Sequence, residues 1–529
     1  MSEVSDLDAV NAVNYGGAAT VGRNLSTRYL AIMAEMGVGL LVLPFNLSHL
    51  GKAAYGLWVL TTSITAYFSV LDLGYSGAVV KFVAEYRAKK DSRALNEILS
   101  TTFYLFTSFG VLTYVIAIVL AIFIDRVLHL TPDQVHVARM ILLITSVNVA
   151  LGTACTVFGA VINGFQRYDL NNVAGTISTV AVAVVNVLVL WAGYGLVQLV
   201  FATTLVRVLT YWVYRANAYR VFPAMRLRLD AFRRDRLREL TSFSVFMAII
   251  DWANKLNYSI DAIVIGIMLG TGAVAVWSVG QRLAEATQRL TNQLNEVIFP
   301  TIVDHSASSR IDELRRILLA GTRLSLATVV PIAGVLMLMG RPLIHAWVGP
   351  DFEGSVIVVQ LLAVIVVVRV GNATASTLLK GADRHRLVAA VNIITAIVNV
   401  AFSIVLARSF GLAGVAIGTL IPISAAAIFV IFPAGCRRVE MPMGRAFAHA
   451  IWPALWPAGM MAAYVAISRP MIPSSLPAVL INMCVAVCVY VATFLAFGIG
   501  ATERRFYLSK IFEATTRARV LLPRPSESA

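Results

Sequence analysis

The side chains best suited to chemistry in this sequence lie inside long apolar stretches. Between 272 and 300, Arg282, Glu285, Arg289, Asn292 and Glu296 share an arc of about 80° on a helix, and Gln281, Gln288 and Gln293 widen it to about 140°. Between 241 and 267, Asp251, Asn254, Lys255, Tyr258 and Asp261 fall within about 120°. Arg28 and Glu35 stand on one face of an earlier stretch, with Asn24 a turn before them. Arg207, the pair Arg369 and Asn372, and a milder stripe of Asn392, Thr395, Asn399 and Ser403 complete the set. A charge at bilayer depth costs about 2.5–3.5 kcal/mol on insertion scales, so such groups normally face a bundle interior or a wet cavity.

Guanidinium and ammonium groups suit phosphate oxygens. Arg28, Lys255, Arg282, Arg289 and Arg369, with Asn292 and Tyr258, are therefore candidates to hold an anionic headgroup. The carboxylates Glu35, Asp251, Asp261, Glu285 and Glu296 are candidates for coupling to an ion, H+ or Na+. The plainer alternative is that pairs such as Asp251 with Lys255, or Arg282 with Glu285, only neutralise each other. The seven histidines are scattered, mostly at loops or span ends, and show no ligand spacing. Of the four cysteines, Cys484 and Cys488 lie one turn apart in an apolar span, and all four read as packing residues. Asp72 reads as a helix cap or anchor. No catalytic residue, metal or cofactor is expected.

The elements that carry these residues are transmembrane helices. The chain of 529 residues is 58% hydrophobic and 13% charged, with a mean hydropathy of +0.78, which excludes a water-soluble domain of this size. Stretches of roughly 20 apolar residues, enough for one crossing, recur at 25–46, 53–79, 98–124, 137–162, 170–193, 195–216, 241–267, 272–300, 317–340, 354–379, 387–408, 411–433, 447–468 and 475–499. The fold class is all-α and polytopic, with about fourteen transmembrane helices. Tight turns are expected at Gly193 to Gly195 and at Phe410 to Gly411.

The net charge of +15 sits in short segments between spans, where it sets orientation and argues against nucleic-acid binding. With the N-terminus inside, roughly 31 basic residues fall on inner segments and about 5 on outer ones. Both termini are thus expected in the cytoplasm. Residues 1–23 are polar and carry no cleavage signature, so the first span is expected to be retained. The longest outer loop, Arg341 to Gly354, is too short for a domain. After the last span, Leu508, Ile511 and Phe512 share a face among Arg504, Arg505, Lys510, Arg517 and Arg519, a pattern for a helix on the inner membrane surface.

The chain also resembles itself. LGKAAYGLWVL (Leu50, Gly51, Ala54, Trp58) matches LGTGAVAVWSV (Leu269, Gly270, Ala273, Trp277) at an offset of 219 residues, and GFQRYDL (Gly164, Arg167, Leu170) matches GADRHRL (Gly381, Arg384, Leu387) at 217. Six spans is an even number, so the repeat is parallel, about an axis along the membrane normal. The expected organisation is a cytoplasmic N-terminus (1–24), a first six-helix bundle (25–216), a basic linker (217–240), a second bundle (241–433), two further helices (434–499) and a basic tail (500–529).

YGLW (Tyr55 to Trp58), LDLG (Leu71 to Gly74), GFQRYDLNN (Gly164 to Asn172) and DAIVIGIMLGTGAVAVWSVGQRL (Asp261 to Leu283) resemble the polysaccharide flippases of the multidrug/oligosaccharidyl-lipid/polysaccharide (MOP) exporter superfamily, over roughly residues 20 to 435. The resemblance implies two six-helix lobes around a central cavity in a bacterial inner membrane. It implies ion-driven alternating access that moves an undecaprenyl-pyrophosphate-linked oligosaccharide to the periplasmic leaflet for cell-surface polysaccharide, with polymerase and export machinery as partners. Members often have twelve spans; two extra helices are closer to the lipid II flippase branch, whose basic cavity residues on helices one and eight correspond by helix to Arg28 and Arg282.

A drug/cation antiporter of the same superfamily and a lipid II flippase are the alternatives, though cavity arginines argue against a cation substrate. A membrane glycan polymerase or ligase would need a larger outer loop. The segment KFVAEYRAKKDSR lacks the GxxxDRxGRR-like run expected of a major facilitator, and no GxxxxGK[ST] phosphate loop points to an ATP-driven pump. The chain is expected to be a transporter, not an enzyme.

Overall fold

Lipid offers the backbone no hydrogen bonds, so a chain immersed in it must satisfy its amides internally, and among the described residues all regular structure is helical. The computed structural model describes residues 18–68, 75–128, 130–238, 240–241, 260–308, 310–382, 384–500 and 504, with 18–22, 25, 292–300 and 307 as backbone only. The helices are α1 (Ala18–Ala66), α2 (Tyr75–Ala88), α3 (Ser92–Val127), α4 (Pro132–Gly164), α5 (Tyr168–Trp191), α6 (Leu196–Val221), α7 (260–268), α8 (Thr271–Ala307), α9 (Ile311–Trp347), α10 (Gly354–Gly381) and α11 (His385–Ala425). From α11 the chain continues helically to Arg438, then forms α12 (Met443–Met471) and α13 (Leu476–Gly498).

Ten of the described helices are long and apolar enough to cross a bilayer, and two of these ten are double. Helix α1 breaks at Gly51 (φ 73°), and α11 breaks at Gly411 (φ 55°). Most of the expected span 241–267 lies outside the described residues, as does the tail helix beyond Arg504.

Within the expected span 53–79, α1 ends at Ala66 and the described part of α2 begins at Tyr75; residues 69–74 lie outside the described residues. Helix α2 lays Tyr75, Val79, Phe82 and Val83 into a core with Leu95, Phe106, Phe158 and Phe165 of the α3–α4 region.

Elsewhere the large apolar side chains point outward, as lipid requires. Val111, Val115, Ile118 and Ile122 form an exposed stripe along α3 at helical spacing, and Phe201, Leu205, Leu209 and Trp212 do the same along α6. Inside, hydroxyls are quenched locally: Thr61, Thr102 and Ser146 each donate to the carbonyl four residues back. The expected outer loop from Arg341 is shorter, because α9 runs on to Trp347; Glu353, beyond it, pairs with Arg341 at 3.0 Å and with His345. The hydrogen bond from His345 is the main cause holding its carboxyl below the usual range.

The internal repeat is visible in the backbone. Gly51 and Gly270, equivalent in the repeat, both take positive φ (73° and 86°), and so do Gly193 and Gly411 (82° and 55°), at the two tight turns expected from sequence. Gly164 packs directly on Val83, and its counterpart Gly381 packs on Ile302, 2.8 Å from where a Cβ would stand. Helix starts also correspond, Ser92 with Ile311 and Tyr168 with His385. The matching offsets mean that the same helix contacts were built twice.

Contacts gather the chain into two units, Met1–Arg282 with Ala389–Thr419, and Leu283–Val388 with Leu420–Ala529. Within the first, α11 is a helical hairpin whose arms touch through glycine. A Cβ on Gly418 would lie 2.6 Å from the Ser403 amide nitrogen, and one on Gly414 would collide with the Leu406 carbonyl.

Gly418→Ala should therefore destabilise the detergent-solubilised protein by about 1–3 kcal/mol, the usual cost of overpacking. Gly459→Ala, in open space, should leave the thermal midpoint unchanged or slightly raised. The two midpoints, measured side by side, check the hairpin contact.

Candidate functional site

The described part of α7 begins at residue 260, and Asp261 is only 6% exposed. The α11 hairpin brings a set of oxygens to it. Thr419 Oγ1 lies 3.3 and 3.4 Å from the two Asp261 carboxylate oxygens, 3.0 Å from Asn399 Oδ1 and 3.2 Å from the Val415 carbonyl. Ser403 Oγ is 2.9 Å from Asn399 Oδ1 and 3.4 Å from the same carbonyl. The Tyr67 hydroxyl, buried without a hydrogen-bond partner, is near enough to feel the Asp261 charge.

Proton counting characterises this cluster. Each hydroxyl has one proton to donate, so Thr419 can serve one of its four neighbouring acceptors at a time. The Asn399 amide nitrogen is buried with no partner. Exchanging the amide's nitrogen and oxygen would satisfy both hydroxyls but strand the oxygen instead. Among the described residues the cluster thus gathers several oxygen lone pairs about a carboxylate. Hard monovalent or divalent cations take all-oxygen shells of this kind, and a proton would serve the same charge.

The second assembly is the polar face of α8. Arg282 and Arg289 are exposed and Gln281, Glu285 and Gln288 half-buried, while Ala284, Thr287 and Thr291, on the opposite side, are buried. Among the described residues of this face, the two arginines are the accessible ones. Buried Trp277 donates its indole N–H to Gln281 at 3.0 Å. Arg282 reaches α1: its Nη1 lies 3.7 Å from where a Cβ on Gly39 would stand. Gly39 is one helical turn beyond Glu35, on the face that also carries Arg28. Arg28 and Glu35 are exposed on the same helix.

The other candidates distribute as follows. Asn292 and Glu296 continue along α8, where the structure describes backbone only, and Asp251, Lys255 and Tyr258 lie outside the described residues. Arg369 is half-buried on α10 beside Asn372, whose side-chain oxygen is buried without a hydrogen-bond partner. Among the described residues no group of three or more His, Cys, Asp or Glu is placed to hold a metal. Sequence reasoning gave Asp261 as one carboxylate among five and missed Thr419, Val415 and Gly39. The stripe of Asn399 and Ser403 was the visible half of the oxygen cluster; its other half needs the hairpin to fold back.

Comparison with known proteins completes the picture. A family model described as polysaccharide biosynthesis protein matches residues 21–306. The chain is 23% identical over 428 residues to the probable flippase AglR of Haloferax volcanii, covering 78% of this chain and 83% of that protein. It is 19% identical over 315 residues to a putative O-antigen transporter of Shigella flexneri, covering 59% and 72%. Its fold matches that of the lipid II flippase MurJ in an inward closed conformation, with a TM-score of 0.71 at 13% identity over 92% of this chain and 99% of that one. It also matches an inward-facing MATE family multidrug transporter of the MOP superfamily, with a TM-score of 0.61 at 17% identity over 77% and 98%. With more than half of its length under the family model, on a fold of the MOP superfamily, this multi-span membrane protein belongs to the polysaccharide biosynthesis protein family.

Proposed function

We propose that the chain carries an undecaprenyl-pyrophosphate-linked oligosaccharide from the cytoplasmic to the periplasmic leaflet of a bacterial inner membrane, with both of its termini in the cytoplasm. The observation that carries this reading is the polar α8 face, where Arg282 meets α1 at Gly39, one turn from Glu35. Guanidinium groups bind phosphate oxygens in bidentate pairs, so Arg28, Arg282 and Arg289 suit a diphosphate, while Arg369, Lys255, Asn292 and Tyr258 suit its first sugars. The polyprenyl tail needs no protein site because lipid already solvates it. A drug/cation antiporter would not be expected to turn arginines toward its cargo.

Movement against a substrate gradient by alternating access needs a second ligand whose binding differs between states. We assign that role to the Asp261, Asn399, Ser403 and Thr419 cluster, with Na+ or H+ as the ion. Glu35, Glu285, Asp251 and Glu296 form the remaining coupling set. The lobes of this reading are 25–216 and 241–433, joined by the basic linker 217–240, with polymerase and export machinery receiving the product.

Two measurements test the proposal. In proteoliposomes loaded with a defined diphosphate-linked oligosaccharide, Arg282→Ala with Arg289→Ala should slow flipping by about 30-fold or more, the loss expected when charged partners are removed. Arg139→Ala, which breaks an exposed pair with Asp125, should have an effect within about twofold. Unchanged flipping in the α8 variant would remove the diphosphate assignment.

Separately, Asp261→Asn and Thr419→Val should abolish acceleration by an imposed Na+ or H+ gradient while leaving binding of the lipid-linked oligosaccharide intact. Gradient response that survives both substitutions would move coupling away from this cluster.

A further inference from the structure

The motif GFQRYDLNN does more than connect α4 to α5: it grips the start of α1. Asn24 Nδ2 donates to the Gln166 carbonyl at 3.1 Å, and Asn24 Oδ1 accepts from the Asp169 amide at 3.2 Å. One side-chain amide thus completes both backbone valences of the turn, where Gln166 takes a positive φ of 60°. Asn172 Nδ2 returns the contact from α5, 3.4 Å from the Asn24 carbonyl and 3.1 Å from Thr27 Oγ1. Asp169, 8% exposed, accepts both guanidinium nitrogens of Arg167 at 3.0 and 3.2 Å and pairs with Arg23 of α1 at 3.4 Å.

We infer that Asn24, Asp169 and Asn172 form a clamp that sets the rotation and register of α1 on α5, and so aims Arg28 and Glu35. The inference rests on the flippase reading for what α1 does, but not for the clamp itself. The physical case is one of leverage. Apolar side chains packed in lipid discriminate weakly between neighbouring registers, whereas each side-chain bond here fits one register only. A slip of one residue turns every side chain on α1 by about 100°, which would carry Arg28 and Glu35 off the face that meets Arg282 at Gly39. Arg28 stands one turn after Asn24, so the clamp acts close to the residue it aims. These are positioning residues: none needs to touch cargo.

The test uses the full-length chain with Cys155, Cys436, Cys484 and Cys488 replaced by alanine. Spin labels are attached at Met33→Cys on α1, an exposed position between Arg28 and Glu35, and at Val187→Cys on α5. Asn24→Ala with Asn172→Ala should shift or broaden the distance distribution between these labels by several ångströms. A control pair at Val187→Cys and Leu209→Cys, on α5 and α6, should keep its distance. Thr179→Ala, whose hydroxyl only serves its own helix, should leave both pairs unaltered. An unchanged distance between positions 33 and 187 in the clamp variant overturns the inference, as does an equal change in the control pair, which would mean general loosening. Flipping of the diphosphate-linked oligosaccharide should fall about tenfold in the clamp variant, the equivalent of losing one or two neutral hydrogen bonds. If Arg282→Ala with Arg289→Ala leaves flipping intact, the functional reading fails while the distance result still decides the clamp.

Discussion

Lipid tails are as apolar as a leucine side chain, so helices immersed in them gain little hydrophobic free energy by meeting. What holds such helices together is close backbone approach and the pairing of the few polar groups they carry. Both are conspicuous here. Gly418 and Gly414 let the arms of α11 touch, and Gly110 brings α3 within 2.5 Å of the Ala150 carbonyl, measured from where a Cβ would stand. Gly56 brings the second arm of α1 against the Thr271 carbonyl at the start of α8. Each contact is also a place where the helices cannot easily slide.

The same constraint explains where the polar residues went. A hydroxyl or amide facing lipid is costly, so Thr61, Thr102 and Ser146 bond to their own helices. Groups that cannot be quenched locally are gathered. The α11 hairpin gathers Asn399, Ser403 and Thr419 around Asp261, and the turn before α5 gathers Asn24, Asp169 and Asn172 at the start of α1. The first collection sets hydroxyl, amide and carbonyl oxygens about a carboxylate, while the second matches amide donors to acceptors between two helices.

The duplicated architecture gives the molecule these features at modest sequence cost. Positive-φ glycines recur at 51 and 270 and at 193 and 411, and the Gly164–Val83 contact recurs as Gly381–Ile302. Because only glycine adopts these angles cheaply or leaves room for the neighbouring side chain, the matched glycines record the repeat more firmly than the apolar residues around them, which lipid permits to drift.

Much of this was determined by the sequence alone. Hydropathy sets an all-helical membrane fold, since no other structure satisfies a backbone in lipid without closing a barrel. Helical periodicity puts the charges of α8 on one face, the self-match predicts the repeat, and the short seams between apolar spans predict both tight glycine turns. The prominence of Asp261 was not legible. In sequence it is one carboxylate among five, and Thr419 lies 158 residues away. Only the folding back of α11 and its packing on α7 turn a stripe of small polar residues into an oxygen cluster, and only the α1–α8 contact shows which face Arg282 meets. Periodicity reports the direction a side chain takes from its own helix axis; which partner stands there is decided by tertiary packing.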